Sequence, residues 1–235
     1  MIAVLGVGPG LGLSVARRFG REGHDVALVS RSDARHETYR AGLAAAGVKS
    51  RTYAADLTDL AALRGVVERI ADDLGPLDTV YFGPAVAGRR GIVPLPAADA
   101  DDVREPLENL LTPAVHLVSA VLPAMLDRGE GTLLFPSGLS GLRPMPMLGN
   151  LAPASAALRM YVLTLHTALA DRGVYVGALT IGGLVIGGDI HRMLTEQGHQ
   201  LPTLDPDTIA ETAWRMTVER TAPEAVFDAL HQPRS

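Results

Sequence analysis

Short apolar runs alternate along the chain with longer stretches in which apolar residues return every three or four positions. The first pattern suits a buried strand and the second an amphipathic helix. Residues 2–5 are predicted as a first strand, followed by a glycine-rich turn and a helix over 11–22. Residues 25–29 form a second strand, 33–46 a second helix closed by Gly47, and 51–55 a third strand. Thr58 or Asp59 caps a helix that Gly75-Pro76 stops after Leu74, and 78–82 are a fourth strand.

A Gly/Pro-rich loop covers 83–96, and helices occupy most of 98–128. Then come a fifth strand over 132–135, a long helix over 152–171 and a sixth strand over 174–180. Residues 182–203 read as an irregular lid. Asp205-Pro206 opens a last helix as N-cap and first-turn proline, and 225–227 are a closing edge strand. Strands and helices in strict alternation predict an α/β fold of Rossmann type. Its doubly wound, mainly parallel seven-stranded sheet carries helices on both faces. No repeat, low-complexity tract or linker interrupts the order, so residues 1–235 read as a single domain.

Composition narrows the chemistry. Hydrophobic residues make up 47% of the chain and aromatics only 4%, so Ala, Leu and Val must fill the core. The net charge of -5 comes with no basic block, which argues against nucleic acid or an anionic membrane as partner. With no cysteine, disulfides, thiolate metal sites and a Cys nucleophile are excluded. No His/Asp/Glu cluster has metal-ligand spacing. The apolar stretch 110–126 contains Thr112, His116, Ser119 and two prolines, and reads as a buried helix rather than a membrane span. The first residues are needed as a strand and carry no signal pattern, so the cytoplasm is the expected location.

The chemistry-bearing signal is Gly6-Val7-Gly8-Pro9-Gly10-Leu11-Gly12, placed between the first strand and the first helix. Glycines there let the backbone turn tightly and approach a pyrophosphate, whose charge sits at the positive end of the helix. The second strand ends Ser30-Arg31-Ser32. A carboxylate at that point would bind the ribose hydroxyls of NAD, whereas a hydroxyl followed by a guanidinium suits a 2′-phosphate. The expected cofactor is therefore NADP(H).

The spacing Gly6-x-x-x-Gly10-x-Gly12 resembles the short-chain dehydrogenase/reductase fingerprint, and the resemblance runs essentially end to end. Asp56, followed by Leu57, matches the family's adenine-contacting Asp. Residues 131–141 match the fifth strand and serine loop, Ala156-Ala-Leu and 165–169 the long dimerisation helix, and 172–176 the sixth strand. The resemblance implies a cofactor site at Gly6, Gly10, Leu11, Gly12, Ser30, Arg31, Ser32, Asp56, Leu57, Gly83, Pro84, Ala85 and Gly182. It also implies pairing of the two long helices across a two-fold axis, hence a homodimer or homotetramer.

The family's reacting residues do not carry over. Counting from Gly131 to Gly141 puts Gly138 at the reactive Ser; counting back from Gly173 puts Leu151 at the Tyr and Ser155 at the Lys. The Asn position falls on Leu110. No Tyr or Lys occurs anywhere between Ser137 and Met160, and Lys49 is the only lysine in the chain. The family's Asn-Asn-Ala-Gly reads Gly83-Pro84-Ala85-Val86, its Pro-Gly reads Ile181-Gly182, and its nicotinamide-holding Thr falls near Ile186. Candidate substitutes are the loop hydroxyls Ser137 and Ser140, and His191 as an acid/base. The last shares the predicted lid with Asp189, Glu196 and His199. His116 and His166 fall on helices expected at the subunit interface and are read as core or interface packing rather than catalysis. Three functions remain open. One is an NADP(H)-dependent oxidoreductase using a substitute proton donor. The second is a cofactor-binding sensor or silent partner subunit, and the third a non-redox cyclase or isomerase. A small, apolar to moderately polar substrate suits the first and third.

Overall fold

A computed structural model describes residues 1–85 and 91–231. Seven parallel strands form the sheet: β1 (Ile2–Leu5), β2 (Val26–Ser30), β3 (Ser50–Ala54), β4 (Thr79–Phe82), β5 (Gly131–Gly138), β6 (Val174–Gly182) and the late strand β9 (Glu224–Asp228). Their spatial order is β3-β2-β1-β4-β5-β6-β9, so the direction of winding reverses between β1 and β4. Between and after them run α1 (Leu11–Arg21), α2 (His36–Ala45), α3 (Leu60–Leu74), α4 (Ala100–Arg128), α5 (Leu151–Ala168), α6 (Asp189–Glu196) and α7 (Pro206–Glu219). This is the expected Rossmann-like α/β architecture.

Alternation along the strands divides the core in two. Ala3, Leu5, Val80 and Phe82 face α3, α4 and α5, while Ile2, Val4 and Tyr81 face α1, α2 and α7. Helix starts follow local chemistry. Asp59, rather than Thr58, caps α3, accepting from the N–H groups of Ala61 and Ala62. Asp205 caps α7, with Pro206 in its first turn.

Two expectations are corrected. Helices, in the plural, were expected over most of 98–128; although Pro106, Pro113 and Pro123 each remove an N–H, residues 100–128 form the single 29-residue α4. Packing overrides propensity: Pro106 and Pro113, seven residues apart, share the buried face with Leu110, Ala114, Leu117 and Val121. The carbonyl that Pro106 leaves without a helical donor, that of Asp102, accepts from Asn150 Nδ2 at 2.9 Å, while Val93 N–H donates to Asn150 Oδ1 at 2.8 Å. By length and composition α4 is apolar enough to cross a bilayer, yet it packs on α3, α5 and β5.

The second correction is that 182–203 is not irregular. It holds α6 and the two-residue strand β7 (Leu184–Val185), which pairs in parallel with β8 (Thr203–Leu204). Part of the loop expected over 83–96, including Val86, lies outside the described residues.

Candidate functional site

The carboxyl ends of β1 to β4 open onto a cleft of about 1200 Å³. It lies at the reversal of strand order, where open α/β sheets bind their ligands. Gly6, Val7 and Gly8 line it after β1, Ser30, Arg31 and Ser32 at and after β2, Ala55 to Thr58 after β3, and Pro84 and Ala85 after β4. Gly6 has φ of 85°, and a Cβ there would stand 2.6 Å from Pro84 Cα, so the turn needs glycine on both counts. Nothing lies within 4 Å of the Cβ position of Gly8, which leaves its backbone open to a ligand.

Polar groups fix the rim. The Ser30 hydroxyl donates to the Ser32 carbonyl at 2.9 Å, and with its hydrogen so placed it accepts from Nε2 of the buried His36 at 2.8 Å. Asp56 Oδ1 accepts from the Thr58 N–H at 3.0 Å and the Thr58 hydroxyl at 2.8 Å. These two bonds, in that order, hold the Asp56 carboxyl below its ordinary value, and the charge of Arg31 adds to the effect. The first turns of α4 contribute Asp101, Asp102, Glu105 and Glu108 together with Arg104, which pairs with Asp101 and Glu108.

Arg35, Tyr39, Asp189 and these α4 acids also line the cleft and were not singled out from the sequence as cofactor-binding. Arg35 is the N-cap of α2, at the end of the short loop that follows Arg31. Its Nη1 donates to Asp189 Oδ2 at 2.7 Å, and Arg192 donates to Oδ1 of the same carboxylate. The Arg35 bond holds the Asp189 carboxyl below its ordinary value against the opposing effect of burial, with Arg192 assisting. Five of the expected cofactor residues, Gly10, Leu11, Gly12, Gly83 and Gly182, do not line the cleft. A Cβ on Gly10 would meet Gly188 Cα at 3.0 Å, one on Gly12 would meet Val7, and one on Gly182 would meet Leu139.

At the end of β5 the chain brings together two of the positions matched to reacting residues, Gly138 and Ser155. A Cβ on Gly138 would stand 3.3 Å from both Ser140 Oγ and Ser155 Oγ, which sets the fifth-strand loop directly against α5. Leu151 opens α5, and Leu110 is buried in the core. Ser137 Oγ, Ser140 Oγ and His191 Nδ1 are buried without a hydrogen-bond partner among the described residues. Ser137 and Ser140 flank Gly138; His191 belongs to α6, away in sequence, and does not line the cleft. His166 Nδ1 bonds the Val176 carbonyl at 2.8 Å and its ring meets Tyr175 edge-on, a packing role. No group of three His, Asp or Glu among the described residues is placed to hold a metal.

With that geometry in place, known proteins can be set beside it. The family model described as short chain dehydrogenase matches residues 1–197. The chain belongs to this family. It is 27% identical over 219 residues to the glycine betaine reductase of Emericella nidulans, covering 89% of this chain but 17% of that protein's length. It is 25% identical over 224 residues to the NADP-dependent 3-hydroxy acid dehydrogenase of Salmonella typhi, covering 91% of this chain and 87% of the relative. Among solved structures, the L-sorbose reductase of Gluconobacter frateurii, complexed with NADPH and L-sorbose, superposes with a TM-score of 0.82 at 21% identity. That match covers 99% of this chain and 97% of the reductase.

Proposed function

We propose that the protein binds NADP(H) in this cleft and is an oxidoreductase-family member with a non-standard reaction site. The observation that carries the cofactor reading is the rim at the end of β2: Ser30, Arg31 and Ser32 line the cleft where an NAD site would present a carboxylate. Gly6 to Gly8 would hold the pyrophosphate on backbone N–H groups, Arg31 with the two serines the 2′-phosphate, and Asp56 with Leu57 the adenine. The bound cofactor would supply a hydride. NADP in the name of one relative, and NADPH in a structural neighbour, support the choice. Titration calorimetry should show NADPH binding at least about tenfold tighter than NADH, a difference of ~1.4 kcal/mol. Arg31→Ala should remove most of that preference. Equal affinities in the unmodified protein would sink the reading.

A second reading follows from Gly138, Leu151 and Ser155. With these residues in place of a Ser, Tyr and Lys, no side chain of lowered pKa stands ready to pass a proton to a carbonyl oxygen. The protein then acts as a cofactor-binding sensor or partner, or as a non-redox enzyme on the same scaffold. Rates separate the two readings, since general acid catalysis contributes about 10²–10⁴-fold. Oxidation of NADPH with simple ketones, 3-oxoacyl thioesters and quinones should be weak or absent.

A further inference from the structure

The segment leading into α6 rests on the glycine-rich turn. Gly188 and Val185 would meet a Cβ on Gly10 at 3.0 and 3.3 Å, and Asp189 follows directly. Its carboxylate reaches Arg35 at 2.7 Å, 154 residues away in sequence, and is braced from behind by Arg192. Arg31, Arg35 and Asp189 line the same cleft, so a carboxylate stands within the basic rim that a phosphate would approach. A carboxylate and a phosphate make the same demand on a guanidinium: paired donors in one plane and a compensating charge. The two anions compete for Arg35.

We propose that Asp189 is a cofactor-specificity residue, an internal anion that holds Arg35 until the 2′-phosphate of NADP(H) displaces it. This rests on the NADP(H) reading above. A ribose without phosphate has nothing to exchange for the ion pair, so NADH gains nothing from Arg35, whereas NADPH gains a second arginine after paying for the displacement. Arg192 keeps the displaced carboxylate paired, so the exchange strands no charge. Arg35 and Asp189 are both about half exposed, with side-chain exposures of 51% and 53%. The pair is therefore of the modest strength of surface ion pairs, and the exchange tunes affinity rather than switching it.

The test is calorimetry with NADPH and NADH on the wild type, Asp189→Asn, Arg35→Ala and the double variant. Asp189→Asn should bind NADPH up to about fivefold tighter, the reach of a surface pair, with NADH affinity unchanged. Arg35→Ala should weaken NADPH alone, and adding Asp189→Asn to it should bring no gain. The proposal is overturned if Asp189→Asn leaves NADPH affinity unchanged, if NADH gains equally, or if the gain survives without Arg35. A wild type that prefers NADPH while Asp189→Asn changes nothing defeats this inference alone. A wild type that binds both cofactors alike, or neither, defeats the cofactor reading with it.

Discussion

Single positions in this chain answer to backbone geometry before they answer to chemistry. Gly6 combines a left-handed φ of 85° with the Pro84 backbone 2.6 Å from any Cβ, and neither contact is a flexible side chain that can move aside. Gly6→Ala should cost about 2–4 kcal/mol, as strained special positions do. Urea unfolding measures it, and a loss below about 1 kcal/mol would show that the Pro84 loop shifts freely. Gly138 is the opposite case. Its Cβ position is 3.3 Å from two hydroxyls, so a side chain needs only a few tenths of an ångström of relief. The triple change Gly138→Ser, Leu151→Tyr and Ser155→Lys should therefore confer measurable NADPH-dependent ketone reduction if the backbone already holds the family's geometry. Robust turnover by the unmodified protein would instead reveal a working acid, and loss of rate on mutating His191, Ser137 or Ser140 would identify it.

Between elements, α5 is tied to the edge strand β9 by a two-bond ion pair. Arg159 donates to both oxygens of Glu224, at 2.7 and 2.6 Å, and the fully buried Thr180 hydroxyl adds a third bond at 2.5 Å. Burial pushes the Glu224 carboxyl up, but the Arg159 fork and the Thr180 hydroxyl outweigh it and hold the group below its ordinary value. A depressed carboxylate pKa contributes stability above the ordinary value and loses it as pH falls through the folded-state value. Both side chains are mostly buried, so Arg159→Ala should cost about 2–3 kcal/mol at neutral pH. The gap from wild type should close in acid below the usual glutamate range; a pH-independent gap in thermal melts would refute the assignment.

Such ties also mark the limit of what could be read from the sequence. The strand and helix order and the Asp59 and Asp205 caps depend on neighbours a few residues apart, and were legible; so was the glycine turn at Gly6, though not its contact with Pro84. The continuity of α4 was not, because burial of Pro106 and Pro113 overrides a local stop signal. Nor was the Arg35–Asp189 pair, nor the seat of Gly188 on Gly10, since each joins segments more than 150 residues apart. Within the cleft, the residues ending β1, β2 and β3 were legible because each follows a strand directly. The α4 residues of the cleft were not, because nothing in the sequence says which turn of α4 faces the cofactor side.

For the molecule as a whole, α4 and α5, which with α3 cover one face of the sheet, still show apolar side chains outward: Val115 is 41% exposed and Met160 59%. We expect these helices to pair across a two-fold axis in a homodimer or homotetramer. Light scattering at micromolar concentration should give a multiple of 24.7 kDa. Met160→Asp should shift it toward the monomer, and a monomeric wild type would refute the pairing.

The bond from Asn150 to the Asp102 carbonyl has a consequence for how the protein opens. A proline leaves one helix with an unused acceptor, and the residue that begins the next helix takes it, so neither end can loosen without exposing the other's buried polar group. The first turn of α4 and the first turn of α5 should then share one local unfolding event, a single cooperative unit in native-state hydrogen exchange. Their amides should show a common opening free energy, and Asn150→Ala should split it into two lower ones while leaving the amides of β1 and β4 protected as before. Asn150 lies next to Leu151 and five residues before Ser155, at the head of the helix that faces Gly138. The same unit therefore includes the start of the helix that packs against the end of β5.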